Sequence, residues 1–353
     1  MLRNTLRLLA VTVTVIVIAA IVAVLAIVVC VGVQYRRDDR AIVLPAPRGP
    51  HPVGRSLADW KDNRRNRELM VFIWYPARDG ALGPHSEYIA GAWGRLESDN
   101  MNPIPPKRLL EIQVSAIEDA QVAPGAMPVL VMLPGMGRIP AHYTTLAEDL
   151  ASYGYLVVGV TPTGSSDVVV FPDGRVVRGN EEAKVGSLDD RSRAQELVVT
   201  WAGDASFALD QLGRDPRFAN HIEASKIGIF GHSFGGNVAA HSLQLDARFD
   251  RAAVLDSAFF GEPINALDKT LMVFECGTNG TNNEQDWRAV CAVDRASCSI
   301  ESFPEARHMN FSDAGVLPSR FPLPKSVLML GSVDGMTFLR DISDRLRAFF
   351  GQM

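Results

Sequence analysis

The chain has 353 residues, with 35 Lys and Arg against 40 Asp and Glu, a net charge of −5. Beyond residue 33 the balance is 33 basic against 40 acidic groups, because only Arg3 and Arg7 are charged before it, so the remainder carries −7. That excludes the basic footprint of a nucleic-acid or anionic-surface binder, and the remaining length suits one sizeable core.

Residues 8–33, LLAVTVTVIVIAAIVAVLAIVVCVGV, are 26 residues without a charge. A helix rises about 1.5 Å per residue, so roughly 20 residues cross a hydrocarbon core of about 30 Å. The run is too long for the apolar core of a cleavable signal peptide, and Gln34-Tyr35-Arg36-Arg37 lacks a small-x-small cleavage site. It reads as an uncleaved single-pass signal anchor, with a long signal peptide as the alternative. Arg3 and Arg7 on one side nearly balance Arg36, Arg37 and Arg40 on the other, so positive charge decides orientation only weakly. The expectation leans to an extracytoplasmic domain. Residues 34–66, rich in Pro, Gly and Arg, read as a linker and domain edge, and residues 67–353 as the main domain.

Glu68 to Tyr75 (ELMVFIWY) reads as a strand stopped by Pro76. The next stretch, to about residue 127, is punctuated by Pro and Gly, with one piece, KRLLEIQVSAIEDA, read as helical and the whole as a cover over a site. Then an alternation begins. PVLVMLPG (128–135) is a buried strand ending in a Gly turn. A helix opened by Pro140 follows, then the strand YLVVGVTP and a small hairpin around Pro172-Asp173-Gly174. A long helix over residues 187–212 carries Ala194, Leu197, Val198, Trp201, Ala205, Ala208, Leu209 and Leu212 at a 3.6-residue period, with Ser187 and Asp190 as its cap. KIGIFG, a helix over 235–245, AAVLD, TLMVFEC, SIESF and a closing amphipathic helix over 336–350 complete the chain. Short apolar runs alternating with helices predict βαβ units: an α/β fold with a mostly parallel central sheet and helices on both faces.

Four cysteines are present, Cys30, Cys276, Cys291 and Cys298, with no CxxC and no paired histidines, which argues against zinc. Cys291 and Cys298 either bridge, in an oxidising compartment, or stand with Cys276 as free thiols.

Gly231-His232-Ser233-Phe234-Gly235 fits G-x-S-x-G, a match that chance produces in roughly one chain of this length in ten. Its setting strengthens it: a strand must enter the turn and a helix leave it, and both are predicted here. A serine needs a base to become a nucleophile, and in this architecture the order is Ser, acid, His. His51, His85, His142 and His221 precede the serine, His232 sits beside it with its ring expected to point away, and His241 lies on the following helix. That leaves His308, in a loop after a strand, as the base. Asp256 ends the strand after the elbow and is the acid; Asp246, Asp250 and Asp268 fall at the wrong ends of strands. Two backbone donors should form the oxyanion hole: the N–H of Phe234, after the nucleophile, and that of Met136 in LPGMGR. No metal or cofactor is implied.

These residues resemble a known family. IWYP at 73–76, GMG at 135–137, GHSFGG, Leu255-Asp256 and HMNFSD at 308–313 are similar to the plasma-type platelet-activating-factor acetylhydrolases, or lipoprotein-associated phospholipases A2, and their bacterial relatives within the α/β-hydrolases. The resemblance implies an α/β-hydrolase fold, Ser233, Asp256 and His308 as triad, Met136 and Phe234 as oxyanion donors, and a lipid-like or short-acyl ester as substrate. It departs at Pro134, where the family has His, and over residues 85–127 and 164–184, which match nothing and would set substrate choice. Two rivals stand beside a membrane-anchored ester hydrolase: an acyltransferase with the same triad, and a catalytically silent membrane-bound binding domain. Phe259 and Phe260, just past the acid, either line an acyl pocket or sit in the core.

Overall fold

Short apolar runs with no alternation form strands buried on both faces, and five of them build the middle of this molecule. The computed structural model describes residues 42–89, 109–185, 190–264, 268–276, 284–293, 297–317 and 325–353, together with residue 22. The strands are β1 (Ile42–Val43), β2 (Val53–Asp62), β3 (Arg67–Pro76), β4 (His85–Glu87), β5 (Ile112–Glu118), β6 (Met127–Leu133), β7 (Leu156–Val160), β8 (Val168–Val170), β9 (Val176–Arg178), β10 (Ile222–His232), β11 (Arg251–Leu255), β12 (Thr270–Cys276) and β13 (Cys298–Phe303). The helices are α1 (Thr144–Ser152), α2 (Arg191–Leu212), α3 (Phe234–Leu245), α4 (Glu284–Val293) and α5 (Gly335–Phe350).

The main sheet runs β1-β5-β2-β3-β7-β6-β10-β11-β12-β13, with β4 on β5. From β7 to β13 every pairing is parallel, while β3 runs antiparallel to both β2 and β7. The sheet is therefore mixed but mostly parallel, with β10 in its middle. Successive side chains of β10 point to opposite faces: Ile227 and Ile229 join a core built with α2 and α3 (Trp201, Ala205, Val238, Leu243), and Phe230 joins one built with α1 and α5 (Leu150, Leu346, Phe350). Burying each large apolar side chain of this kind contributes about 1.5–3 kcal/mol. Helices cover both faces, as expected.

Three segments differ from expectation. Among its described residues, the piece KRLLEIQVSAIEDA is helical only at Leu109 and Leu110; Ile112–Glu118 is strand β5. Its burial alternates, with Ile112, Val114 and Ala116 inside, and the edge of β2 supplies its ladder. The stretch read as linker and domain edge contains β2, ten residues in continuous register with β3. Helix α4 had no counterpart in the expected elements; it packs Trp287 into the core. The hairpin β8–β9 and the cap of α2 agree with expectation, the latter with Asp190 accepting from the Arg193 N–H. Residues 186–189, with Ser187, lie outside the described residues.

Among the described residues, no helix is long and apolar enough to cross a membrane. The run at residues 8–33, expected to do so, lies outside them except for Val22, as does Cys30. Cys291 and Cys298 form a disulfide, and Cys276 is free of one.

Candidate active site

Strand β10 delivers its last residue, His232, to a one-residue turn, and α3 starts at Phe234. Ser233 sits between them at φ 54°, ψ −131°, a conformation that non-glycine residues adopt only when the surroundings impose it. The surroundings do so by proximity. A Cβ on Gly231 would lie 2.3 Å from the Gly235 carbonyl, and one on Gly235 would lie 2.3 Å from the Pro134 oxygen. Strand and helix thus cross where only glycine fits. The Ser233 N–H donates to the Leu255 carbonyl at 2.9 Å, which ties the turn to the end of β11.

Asp256 follows β11 directly, also at positive φ (46°). Its own N–H reaches the Phe274 carbonyl at 2.8 Å, which aims the side chain up from the sheet. Oδ1 accepts from the Cys276 N–H at 2.9 Å, and Oδ2 lies 2.6 Å from His308 Nδ1. Burial raises the Asp256 carboxyl, but the hydrogen bond and charge of His308, with the Cys276 N–H, outweigh it and leave the group at about 2. A carboxylate only accepts, so Nδ1 carries the proton and Nε2 is left as the basic nitrogen. The Cys276 thiol is pushed up by burial and then by the Asp256 charge, which keeps it protonated.

The loop bearing His308 is held at several points. Buried Asn310 accepts from the N–H groups of Arg307 and Gly331, both at 2.8 Å. Phe311 stacks edge-on against Phe303 and Phe338. Asp313, buried completely, accepts from the N–H groups of Thr144 and Thr145 and from the Tyr88 hydroxyl, so it caps α1.

The loop after β6 faces the serine. A Cβ on Gly135 would stand 3.2 Å from the Ser233 Cβ. Arg138 N–H closes a turn onto the Gly135 carbonyl at 3.0 Å, with Gly137 at φ +77°, the conformation a type II turn reserves for glycine. Residues 165–167 brace this turn: the Gly137 N–H donates to Ser165, the Asp167 N–H to Gly137, and the Ser166 hydroxyl to Arg138. Among the described residues, the N–H groups of Met136 and Phe234 make no hydrogen bond.

The structure thus pairs Asp256 with His308 and sets Ser233, with Phe234 after it, against the Gly135 turn that carries Met136; Met136, Ser233, Phe234 and Asp256 follow the carboxyl ends of β6, β10 and β11, and His308 follows β13. It adds three that sequence reasoning passed over. His232 packs against His308, ring centroids 4.4 Å apart, a contact that sequence reasoning did not foresee. Tyr143 accepts from the Gly135 N–H. Asp313 was quoted in a motif without a role. Phe260 lies edge-on to Phe234 at 5.3 Å, and its carbonyl accepts from Asn237 and His241; Phe259 packs on Trp287. Both are partly exposed. A cavity of about 690 Å³, lined by Tyr75, Asp119, Arg217 and His221 among others, lies at the opposite end of β10 and holds none of the five. Among the described residues, no group of His, Cys, Asp and Glu has the arrangement of a metal site.

A family model described as "Platelet-activating factor acetylhydrolase, isoform II" matches residues 38–182 and 204–277, more than half of the chain. A probable 1-alkyl-2-acetylglycerophosphocholine esterase of Arthroderma benhamiae is 26% identical over 310 residues, 77% of this chain and 76% of its own length. The platelet-activating factor acetylhydrolase of Cavia porcellus is 24% identical over 63% of this chain, and the match spans only 58% of that protein's length. Among solved structures, a ferulic acid esterase from Streptomyces cinnamoneus superposes with a TM-score of 0.77 at 27% identity, covering 89% of this chain and 93% of its own.

Proposed function

Because the chain belongs to the platelet-activating factor acetylhydrolase isoform II family, we propose that it is a serine ester hydrolase working through an acyl-enzyme. Ser233 Oγ attacks the ester carbonyl and passes its proton to His308 Nε2. Asp256, accepting the Nδ1–H at 2.6 Å, fixes the tautomer and stabilises the imidazolium that forms. The oxyanion lies between the N–H groups of Met136 and Phe234, each worth about 3–4 kcal/mol in the transition state. His308 then protonates the leaving alcohol, and water repeats the sequence on the acyl-serine.

One observation carries this reading: a serine held at φ 54° against the Gly135 turn, with an ionised Asp256 hydrogen-bonded to His308 at the next strand end. Asp256 stays ionised down to about pH 2, so the partner of the His308 ring keeps its charge throughout the neutral range.

The substrate is a short-acyl or lipid-like carboxylic ester, the class named for the Arthroderma and Cavia relatives. The apolar run at residues 8–33 would anchor the domain at a bilayer, with the catalytic part outside the cytoplasm, and the Cys291–Cys298 bridge supports an oxidising compartment. The Streptomyces likeness favours a second substrate reading, hydroxycinnamoyl esters.

The test is initial rates on acetyl, butyryl and long-chain p-nitrophenyl esters, an sn-2-acetyl glycerophosphocholine and a feruloyl ester, with and without added alcohol. Preferential release of the short acyl group to water is the expected result. Preference for the feruloyl ester would move the reading to the second class, transfer to the alcohol would mark an acyltransferase, and no turnover of any ester would favour the silent binding domain.

A further inference from the structure

Two buried side chains beside the triad are joined in a way that leaves each atom one role. The Gly135 N–H donates to Tyr143 Oη at 3.0 Å. The Tyr143 hydroxyl proton is then free to point only at its other neighbour, His232 Nδ1, 2.8 Å away. That nitrogen accepts, so the His232 proton sits on Nε2, which donates to the main-chain carbonyl of His308 at 2.9 Å. A backbone carbonyl has no alternative role. His232 and Tyr143 are 2% and 1% exposed, so no water competes for these bonds, and an unmade bond would be costly there.

Burial, reinforced by the nearby His308, pushes His232 down to about 3, so it stays neutral. Its neutrality matters, because a second charge 4.4 Å from His308 would oppose the imidazolium that forms as Ser233 reacts. The line ends at both halves of the site. At one end, Tyr143 occupies the Gly135 N–H and so leaves the Met136 N–H as the unoccupied donor of the turn. At the other, the His308 main chain is held from below, while Asp256 holds its ring from the side. Tyr143 is itself set by Asp313, which caps α1 at the next two residues from within the His308 loop.

We propose that Tyr143 and His232 form a positioning relay that fixes the distance between the oxyanion turn and the His308 loop, so that the Met136 N–H and the His308 imidazole face Ser233 together. The inference rests on the serine-hydrolase reading. Neither residue touches substrate; both act through Gly135 and His308.

The experiment is a double-mutant cycle in the full-length chain with Tyr143→Phe, His232→Gln and the pair, read as kcat and KM on a short-chain p-nitrophenyl ester, with thermal melts as a check on folding. Each single change should lower kcat about 10–100-fold, the scale of a small misplacement of catalytic groups, with KM within about twofold. The double variant should be no slower than the slower single, because the line is broken once. Kcat within threefold of wild type in a folded single variant, or fully multiplicative losses in the double, would overturn the relay. If Tyr143→Phe fails to fold, His232→Gln alone decides by its kcat-to-KM split. An active wild type with indifferent variants would sink the relay alone. A wild type that turns over no ester and takes no fluorophosphonate would sink the hydrolase reading and, with it, the relay.

Discussion

Asp256, partly buried, and Asp313, fully buried, both hold the His308 loop, one by the ring and one by the chain, and their carboxyls are shifted in opposite directions. Asp256 faces an imidazole that can take up charge, and this partner overrides burial and leaves the carboxyl at about 2. Asp313 accepts from two backbone N–H groups and a tyrosine hydroxyl, all neutral, and there burial wins, pushing it up to about 6. Neutral donors in a dry site do not offset the loss of water as a chargeable partner does. The first carboxylate is charge held ready for chemistry; the second is a structural cap that takes up a proton as pH falls through about 6.

The largest effects should separate the two by activity. Ser233→Ala should abolish turnover, a fall of at least about 10⁴-fold, and Asp256→Asn should approach 10⁴-fold in kcat, the scale for losing the triad's tautomer control. Steady-state kinetics on folded variants check both. An Asp256→Asn enzyme within tenfold of wild type would break the distinction. Asp313→Asn should do the reverse. It sets an amide N–H₂ against donors and should lower folding stability by about 1–3 kcal/mol with a smaller loss of kcat, as urea unfolding and kinetics together would establish.

The pH dependence of stability sharpens the contrast, because the two signs differ. The folded-state value of Asp256 lies below the unfolded carboxylate value of about 3.9, so its stabilisation is present above about pH 4 and is lost as pH falls towards 2. Asp313 is raised, so its contribution is complete below about pH 4 and is lost as pH rises through 6. Glu148, buried against the Ser115 and Ala116 N–H groups and pushed up to about 7 chiefly by burial, acts in the same direction. The stability difference between wild type and Asp313→Asn should therefore move against the wild type by the order of 2–3 kcal/mol from pH 4 to 7. Urea midpoints at the two pH values measure it; a difference independent of pH would mean that Asp313 is ionised throughout.

The parts of the site on β10 and β11 were legible because each follows from strand order and one turn. G-x-S-x-G between a strand and a helix, then Asp at the next strand end, then a histidine in a later loop, leave few alternatives. The relay was not legible, since Tyr143 and His232 are 89 positions apart and no spacing links them. Its one local signal was a histidine beside the nucleophile, read as pointing away. The edge of the sheet was obscured for another reason. Strand β2 carries Arg55, fully buried beside Phe72 and lowered to about 10 by that burial, so a core strand read as polar linker. Around β5, Leu109, Ile112 and Ala116 keep helical spacing while Ile112, Val114 and Ala116 keep strand spacing, and the available sheet edge decided between them. Helix α4 is polar apart from Trp287, Val290 and Cys291 among its buried positions, too short a stripe to announce itself.

The central claim is that Ser233 is an activated nucleophile under His308. The most direct measurement is fluorophosphonate labelling of the full-length chain, with the modified peptide mapped, in wild type and His308→Ala. A single label on Ser233, lost in the variant, is the predicted result. A folded wild-type chain that takes no label, or one whose labelling is indifferent to His308→Ala, would contradict the account.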